Sequence, residues 1–263
     1  MTDGAEAPES PDAPEVSGTV RALPANTPFD YQIGGDYPPP SGGGVVARDW
    51  FIGSALPGGY SICYVNAFQT QDDDDELDRP DERSNWPASL VLSGFEDDPD
   101  WAGEFLVDIS TSAKRTAAAD HLDPMIQVCA DKGFDAVEYD NLDSWTRLDG
   151  LPFDRSDSIA FATIITDRAH ALGMAVAQKN TADLGAEVSL DVIGFDFAVV
   201  EQCGAFDECG RFADVFGDAI VVIEYTDDGF ATACSTVGDR SSVVRRDLLV
   251  ATPESSDYVH DEC

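Results

Sequence analysis

From residue 29 onward, short β-rich runs alternate with helix-like segments, and no other feature restricts the fold as strongly. Such alternation is the pattern of βα units wound around a parallel sheet. Eight runs read as strands: residues 29–33, 60–68, 104–109, 134–141, 174–180, 195–203, 219–225 and 242–251. Eight strands with helices between them predict α/β architecture, a single-domain (β/α)8 TIM barrel over residues 29–251. Residues 1–28 hold Pro8, Pro11, Pro14, Pro24 and Pro28 among acids and small residues, and are expected to form a disordered leader. Residues 252–263 are expected to be an acidic C-terminal tail.

Two helices are legible. The segment 114–132 starts Ala-rich, carries Leu122, Ile126, Val128 and Cys129, and stops before Gly133. Pro124 is expected to break or kink it. Residues 156–172 put Ile159, Ala162, Ile165 and Ala169 on one stripe, with Ser156 or Asp157 as the expected N-cap and Gly173 as the stop. Two connections are long, 34–44 and 69–101, and connections after barrel strands shape the site. The second carries the acidic run 72–76, which lacks the alternating ligands and glycine of a calcium loop and reads as a solvated face.

The 263 residues include 51 acids against 15 Lys plus Arg, a formal net charge of -36. Without residues 1–28 and 251–263, 42 acids still face 14 bases, so the excess belongs to the folded part. Nucleic acid is excluded as a partner. Self-repulsion of such a surface calls for screening by salt, which predicts a halophilic source. Six cysteines fit an exported protein with up to three disulfides, Cys203 and Cys209 being the nearest pair. No CxxC or Cys/His spacing suggests zinc, and neither a metal nor a cofactor is expected. No run reaches the roughly 20 apolar residues of a membrane span.

Chemistry concentrates at strand ends. In FDAVEYDN (134–141), apolar residues give way to Glu138, Asp140 and Asn141 at the C-terminal end, the catalytic face of a barrel. Alternation puts Glu138 and Asp140 on one side, and with Ala136 inward both carboxylates enter the barrel mouth. Two such close acids should push one pKa up. In FDFAVVEQC (195–203), Phe195, Phe197, Val199 and Glu201 share a side, and a lone buried Glu there would be costly. One strand separates these two, so Asp140 and Glu201 can meet across the mouth at the spacing of a glycosidase pair. Tyr64, Asn66, Asp108, Lys179, Asn180, Glu224 and Tyr225 are further polar strand ends; caps, turns or salt bridges are the alternative for Asp108, Asn180 and Glu224. Trp50, Trp101 and Trp145 read as core rather than sugar platforms. His170 reads as a packing or capping residue, and no Ser/His/Asp arrangement stands out. Lys179 also opens a Schiff-base alternative.

The motifs CYVNAF (63–68), GFDAVEYDN (133–141), KN (179–180), FDFAVVEQC (195–203) and EC (208–209) together resemble the barrels of glycoside hydrolase family 114, the endo-α-1,4-polygalactosaminidase type, over residues 29–225. The resemblance implies cleavage of α-1,4-linked galactosamine-containing polysaccharide. It places the nucleophile on Asp140 and the acid/base on Glu201. It also implies a sugar cleft lined by Gln32, Asp36, Tyr64, Asp108, Glu138, Asn141, Lys179, Asn180 and Tyr225, and a disulfide between Cys203 and Cys209. The chain departs from the family in an acidic insertion around residues 72–82, and in Val65, Asn66 and Ala67, where small Ser or Gly residues are common. The expected protein is a secreted, monomeric, retaining endo-glycosidase of a high-salt environment. The alternatives are a catalytically silent carbohydrate-binding barrel and a Lys179-dependent aldolase or lyase.

Overall fold

The computed structural model describes residues 20–71 and 86–263. Eight parallel strands line up in chain order: β1 Phe29–Gln32, β2 Val45–Asp49, β3 Tyr60–Asn66, β4 Ala136–Asp140, β5 Ala175–Lys179, β6 Phe197–Glu201, β7 Ile220–Glu224 and β8 Ser242–Arg246. They are buried on both faces, as parallel strands under a helical layer must be. Tyr31, Ala47, Ile62, Ala136, Ala177, Phe197, Val199 and Ile223 fill the barrel interior. Val65, Val137 and Val176 pack outward with the helices. Phe195, expected to share the inner side with Glu201, belongs to this outer layer, because it precedes the first residue of β6.

The predicted count of eight holds with one member exchanged. Residues 104–109 are not a barrel strand; Leu106 and Val107 make single antiparallel bridges to Gln69 and Val91. Their place is taken by Val45–Asp49, a segment without a strand assignment in the sequence reading. Glycine makes this strand possible. Gly44 runs at φ 112°, and a Cβ on it would overlap the Pro28 carbonyl, so only glycine allows Val45 N to donate to Pro28 O at 2.8 Å and open the β1–β2 ladder.

The end of the chain adds an edge to the sheet. A ninth strand, β9 (His260–Glu262), runs antiparallel on β8, and Cys263 is disulfide-bonded to Cys234. The stretch read as a tail is therefore tied to the wall. Between β8 and β1 the seam is held by side chains: Ser242 Oγ donates to the Thr27 carbonyl at 2.6 Å, and the Arg246 guanidinium binds Asp30 at 3.0 Å and the Tyr31 carbonyl. Of the predicted leader, residues 20–28 are described; Leu23 is buried and Arg21 pairs with Asp135 at 2.9 Å. Residues 1–19 and the acidic run 72–76 lie outside the described residues.

Among the described residues, four α-helices, α1 Ser112–Asp131, α2 Arg155–Ala171, α3 Cys209–Phe216 and α4 Asp227–Val237, and a π-helical segment, Glu187–Ile193, cover the later strands. Helix α1 passes through Pro124 without ending there. Its buried Leu122, Met125 and Ile126, together with the Cys63–Cys129 disulfide, hold it on the barrel, so tertiary packing outweighs the local penalty. Helix α2 is capped by Asp154, two or three residues earlier than expected, and Asp157 completes a capping box with it. His170, in its last turn, pairs with Asp196 at 2.8 Å. All six cysteines are used, the third disulfide being Cys203–Cys209.

Candidate active site

Parallel strands bring their C-terminal ends to one face, and alternation sets which side chain at each end points inward. Here β3 supplies Tyr64, β4 supplies Glu138 and Asp140, β5 supplies Lys179, β6 supplies Glu201, and Tyr225 follows β7. The Lys179 ammonium, almost fully buried, is their common partner. Its Nζ lies 2.7 Å from Glu138 Oε1, 3.2 Å from Asp140 Oδ1 and 3.4 Å from Glu201 Oε2. Two carboxylate oxygens at those distances from one nitrogen stand no more than about 6.6 Å apart, within reach of a single glycosidic linkage.

Each carboxylate is then aimed by neutral donors. Tyr64 donates to Asp140 Oδ2 at 2.6 Å, and Asn141 N to Asp140 Oδ1 at 2.7 Å. Tyr225 donates to Glu201 Oε1, and Asn180 Nδ2 to Glu201 Oε2 at 3.1 Å, while Glu201 N returns a bond to Asn180 Oδ1 at 2.7 Å. Asn141 and Asn180 sit at φ 62° and 46°, where asparagine is tolerated better than most residues, and each ends its strand by turning the backbone next to a carboxylate. The Asn141 amide is fixed in turn on Asn66 Oδ1 at 3.0 Å.

The electrostatics separate the acids. Burial works against the Asp140 charge, but the Lys179 ammonium and the hydrogen bonds from Tyr64 and Asn141 outweigh it and hold the carboxyl below its usual range. Glu138 lies deeper, with no exposed surface, and burial pushes it up to about 7 against the pull of Lys179. Its Oε1 accepts from Tyr31 at 2.9 Å as well as from Lys179, and its Oε2 has no partner among the described residues. Burial and the nearby carboxylates raise Tyr31, Tyr64 and Tyr225, so all three phenols remain protonated donors. Burial opposes the charge on Lys179, yet Asp140, Glu138 and Glu201 prevail and raise its pKa. A Schiff-base lysine needs the opposite shift, so this geometry gives the aldolase alternative no support.

Three more of the residues expected in the cleft are held by partners other than the Lys179 cluster. Gln32 donates to Asp30 at 2.7 Å and accepts from Arg48 at 2.9 Å. Asp36 pairs with Arg48 at 2.9 Å and accepts from Ser54. Asp108 is held by Ser110 and Lys114. Glu224 likewise turns away from the mouth, accepting from Gly204 N at 2.6 Å. Tyr31 was missing from the expected cleft, although FDYQ pairs it with Phe29 on one side of the strand, a signal as readable as that for Glu138. Trp101 is exposed rather than core, whereas Trp50 and Trp145 are partly buried against the outer layer.

Carboxylates gathered at the C-terminal face of a TIM barrel are the equipment of a glycoside hydrolase. The sequence profile of glycoside-hydrolase family GH114 matches residues 10–263, and the chain belongs to that family. It is the family that the motifs resemble. Among solved structures, Ega3 of Aspergillus fumigatus, crystallised with galactosamine, superposes with a TM-score of 0.73 at 24% identity, covering 93% of this chain and 98% of that one. The glycoside hydrolase domain of PelA from Pseudomonas aeruginosa gives a TM-score of 0.56 at 15% identity, covering 89% and 96%. Both are likenesses of fold. No curated protein matches the sequence.

Proposed function

We propose that this glycoside hydrolase is a secreted, endo-acting enzyme that cleaves α-1,4-linked galactosamine-containing polysaccharide with retention, Asp140 serving as nucleophile and Glu201 as acid/base. The observation that carries the reading is the Asp140–Glu201 pair shared by Lys179. The two oxygens that share Lys179 lie within about 6.6 Å of each other, a bound that the spacing of a retaining pair satisfies. Asp140, kept ionised, attacks the anomeric carbon as Glu201 gives its proton to the leaving oxygen. Glu201 then takes a proton from water, which displaces Asp140. The Tyr225 hydroxyl follows this cycle by rotating: it donates to the carboxylate and accepts from the acid.

Tyr64, Asn141, Lys179, Asn180 and Tyr225 form the sugar-facing lining and hold the pair in place, and Glu138 supports the cleft from beneath through Lys179. Gln32, Asp36 and Asp108 support the cleft through their protein partners. Family membership and the galactosamine in the Ega3 structure support the substrate class, and a mouth rich in carboxylates suits a cationic amino sugar. Three disulfides support an oxidising, extracellular location, and the net charge of -36 supports a salty one. The test is product sizing after incubation of the purified protein with galactosamine polymer in high salt, with NMR of the first-formed anomer. Asp140→Asn and Glu201→Gln should each lower cleavage by about 10³-fold or more. Unchanged cleavage in both variants would refute the assignment, and an inverted first product would refute retention.

A further inference from the structure

Residues 202–208 connect β6 to α3 and begin directly after Glu201. This loop is braced from several directions. The Cys203–Cys209 disulfide closes it, Phe206 N donates to Gln202 O at 3.0 Å, and Glu208 N donates to Cys203 O at 2.7 Å. The buried carboxylate of Glu224 accepts from Gly204 N at 2.6 Å. Gly204 also lies so close to α4 that a Cβ on it would overlap the Gly229 carbonyl, and a Cβ on Gly229 would meet the Glu224 carboxylate. Gln202 and Asp207 are held at φ 59° and 57°, a conformation that persists only where neighbouring contacts over-determine it.

At the tip stands Phe206, 67% exposed. An apolar side chain scattered on a mobile surface needs no explanation. On a loop this firmly fixed, starting at one of the two reacting carboxylates, a bare aromatic ring is a preorganised surface, and preorganisation lowers the ordering cost of binding. Hexosamine rings carry a C–H face that such a surface can cover.

We propose that Phe206 is the platform for the sugar ring on the leaving-group side of the scissile bond, with the Glu224-braced loop as its rigid mount. The side is set by Glu201: the group that protonates the leaving oxygen lies at the root of the same loop. The inference rests on the proposed acid/base role of Glu201.

Steady-state kinetics and product sizing on galactosamine polymer test it, with the full chain as wild type, Phe206→Ala, Phe206→Trp and Leu172→Ala. Leu172 is an exposed apolar control at the C-terminal end of α2, the end opposite the mouth. Phe206→Ala is expected to raise KM about tenfold, as for a partly covered aromatic ring, and to shift the product lengths. Phe206→Trp should restore both, and Leu172→Ala should leave both at wild-type values. An active wild type whose KM and product lengths survive Phe206→Ala, or move equally in Leu172→Ala, would overturn the platform while sparing the proposed function. A wild type that leaves the polymer uncut would overturn the proposed function and, with it, the platform.

Discussion

Lys179→Met removes the charge that three carboxylates share while keeping the length of the side chain. The ammonium stands 2.7, 3.2 and 3.4 Å from Glu138, Asp140 and Glu201. At an effective dielectric near 20, each contact is on the order of 5 kcal/mol before desolvation, and desolvation offsets much of that sum. Breaking a buried pair by deleting one partner costs about 3–5 kcal/mol, because the surviving charges are left uncompensated. Unfolding by denaturant at pH 7 should show that loss, and kcat/KM should fall by about 10²-fold or more as Asp140 loses the cation that keeps it ionised. The pH dependence has a definite sign. Asp140 is depressed in the folded protein, so the stability due to its ion pair is present above the unfolded value of about 4 and disappears as pH falls through the folded one. The gap between wild type and variant should therefore narrow at acid pH. A Met variant with wild-type kcat/KM and an unmoved acid limb would refute the reasoning.

Loss of the Cys63–Cys129 disulfide, which spans 66 residues between β3 and α1, should cost about 4 kcal/mol on a chain-entropy basis. Denaturant unfolding of the Cys63→Ala, Cys129→Ala double variant checks this, and a cost below about 1 kcal/mol would contradict it. His170 is raised by its hydrogen bond to Asp196, so its stabilisation is complete below the unfolded value of about 6.5 and is lost as pH rises through the folded one. His170→Asn should lower Tm at acid pH and leave it unchanged at alkaline pH. With a net charge of -36, Tm should rise steadily as salt shortens the Debye length from about 10 Å at 0.1 M to about 3 Å at 1 M. Equal melting at low and multimolar salt would contradict a surface tuned to screening.

Local periodicity made part of this protein readable without coordinates. Strand–helix alternation implies a parallel barrel, and the two-residue repeat of a strand turns Glu138, Asp140 and Glu201 toward its mouth wherever the flanking residues are core. Neither conclusion needs to know what stands opposite. The exchange of residues 104–109 for Val45–Asp49 shows the limit. Both runs are β-rich, and the choice depended on a close approach of Gly44 to Pro28 that composition does not encode. Gln32, Asp36 and Asp108 have the residue types of a cleft, but that Arg48 and Lys114 are their partners was not legible in the sequence. Cys234 and Cys263 were two of six candidates for pairing until β9 returned to β8. Lys179 was visible as a polar strand end, but its place among three carboxylates required β4, β5 and β6 to converge. The sequence by itself determined which way each strand end faces, because that is set by neighbours in the chain. Which charges meet there was decided only by tertiary structure, because Coulomb interaction depends on distances between residues far apart along the backbone.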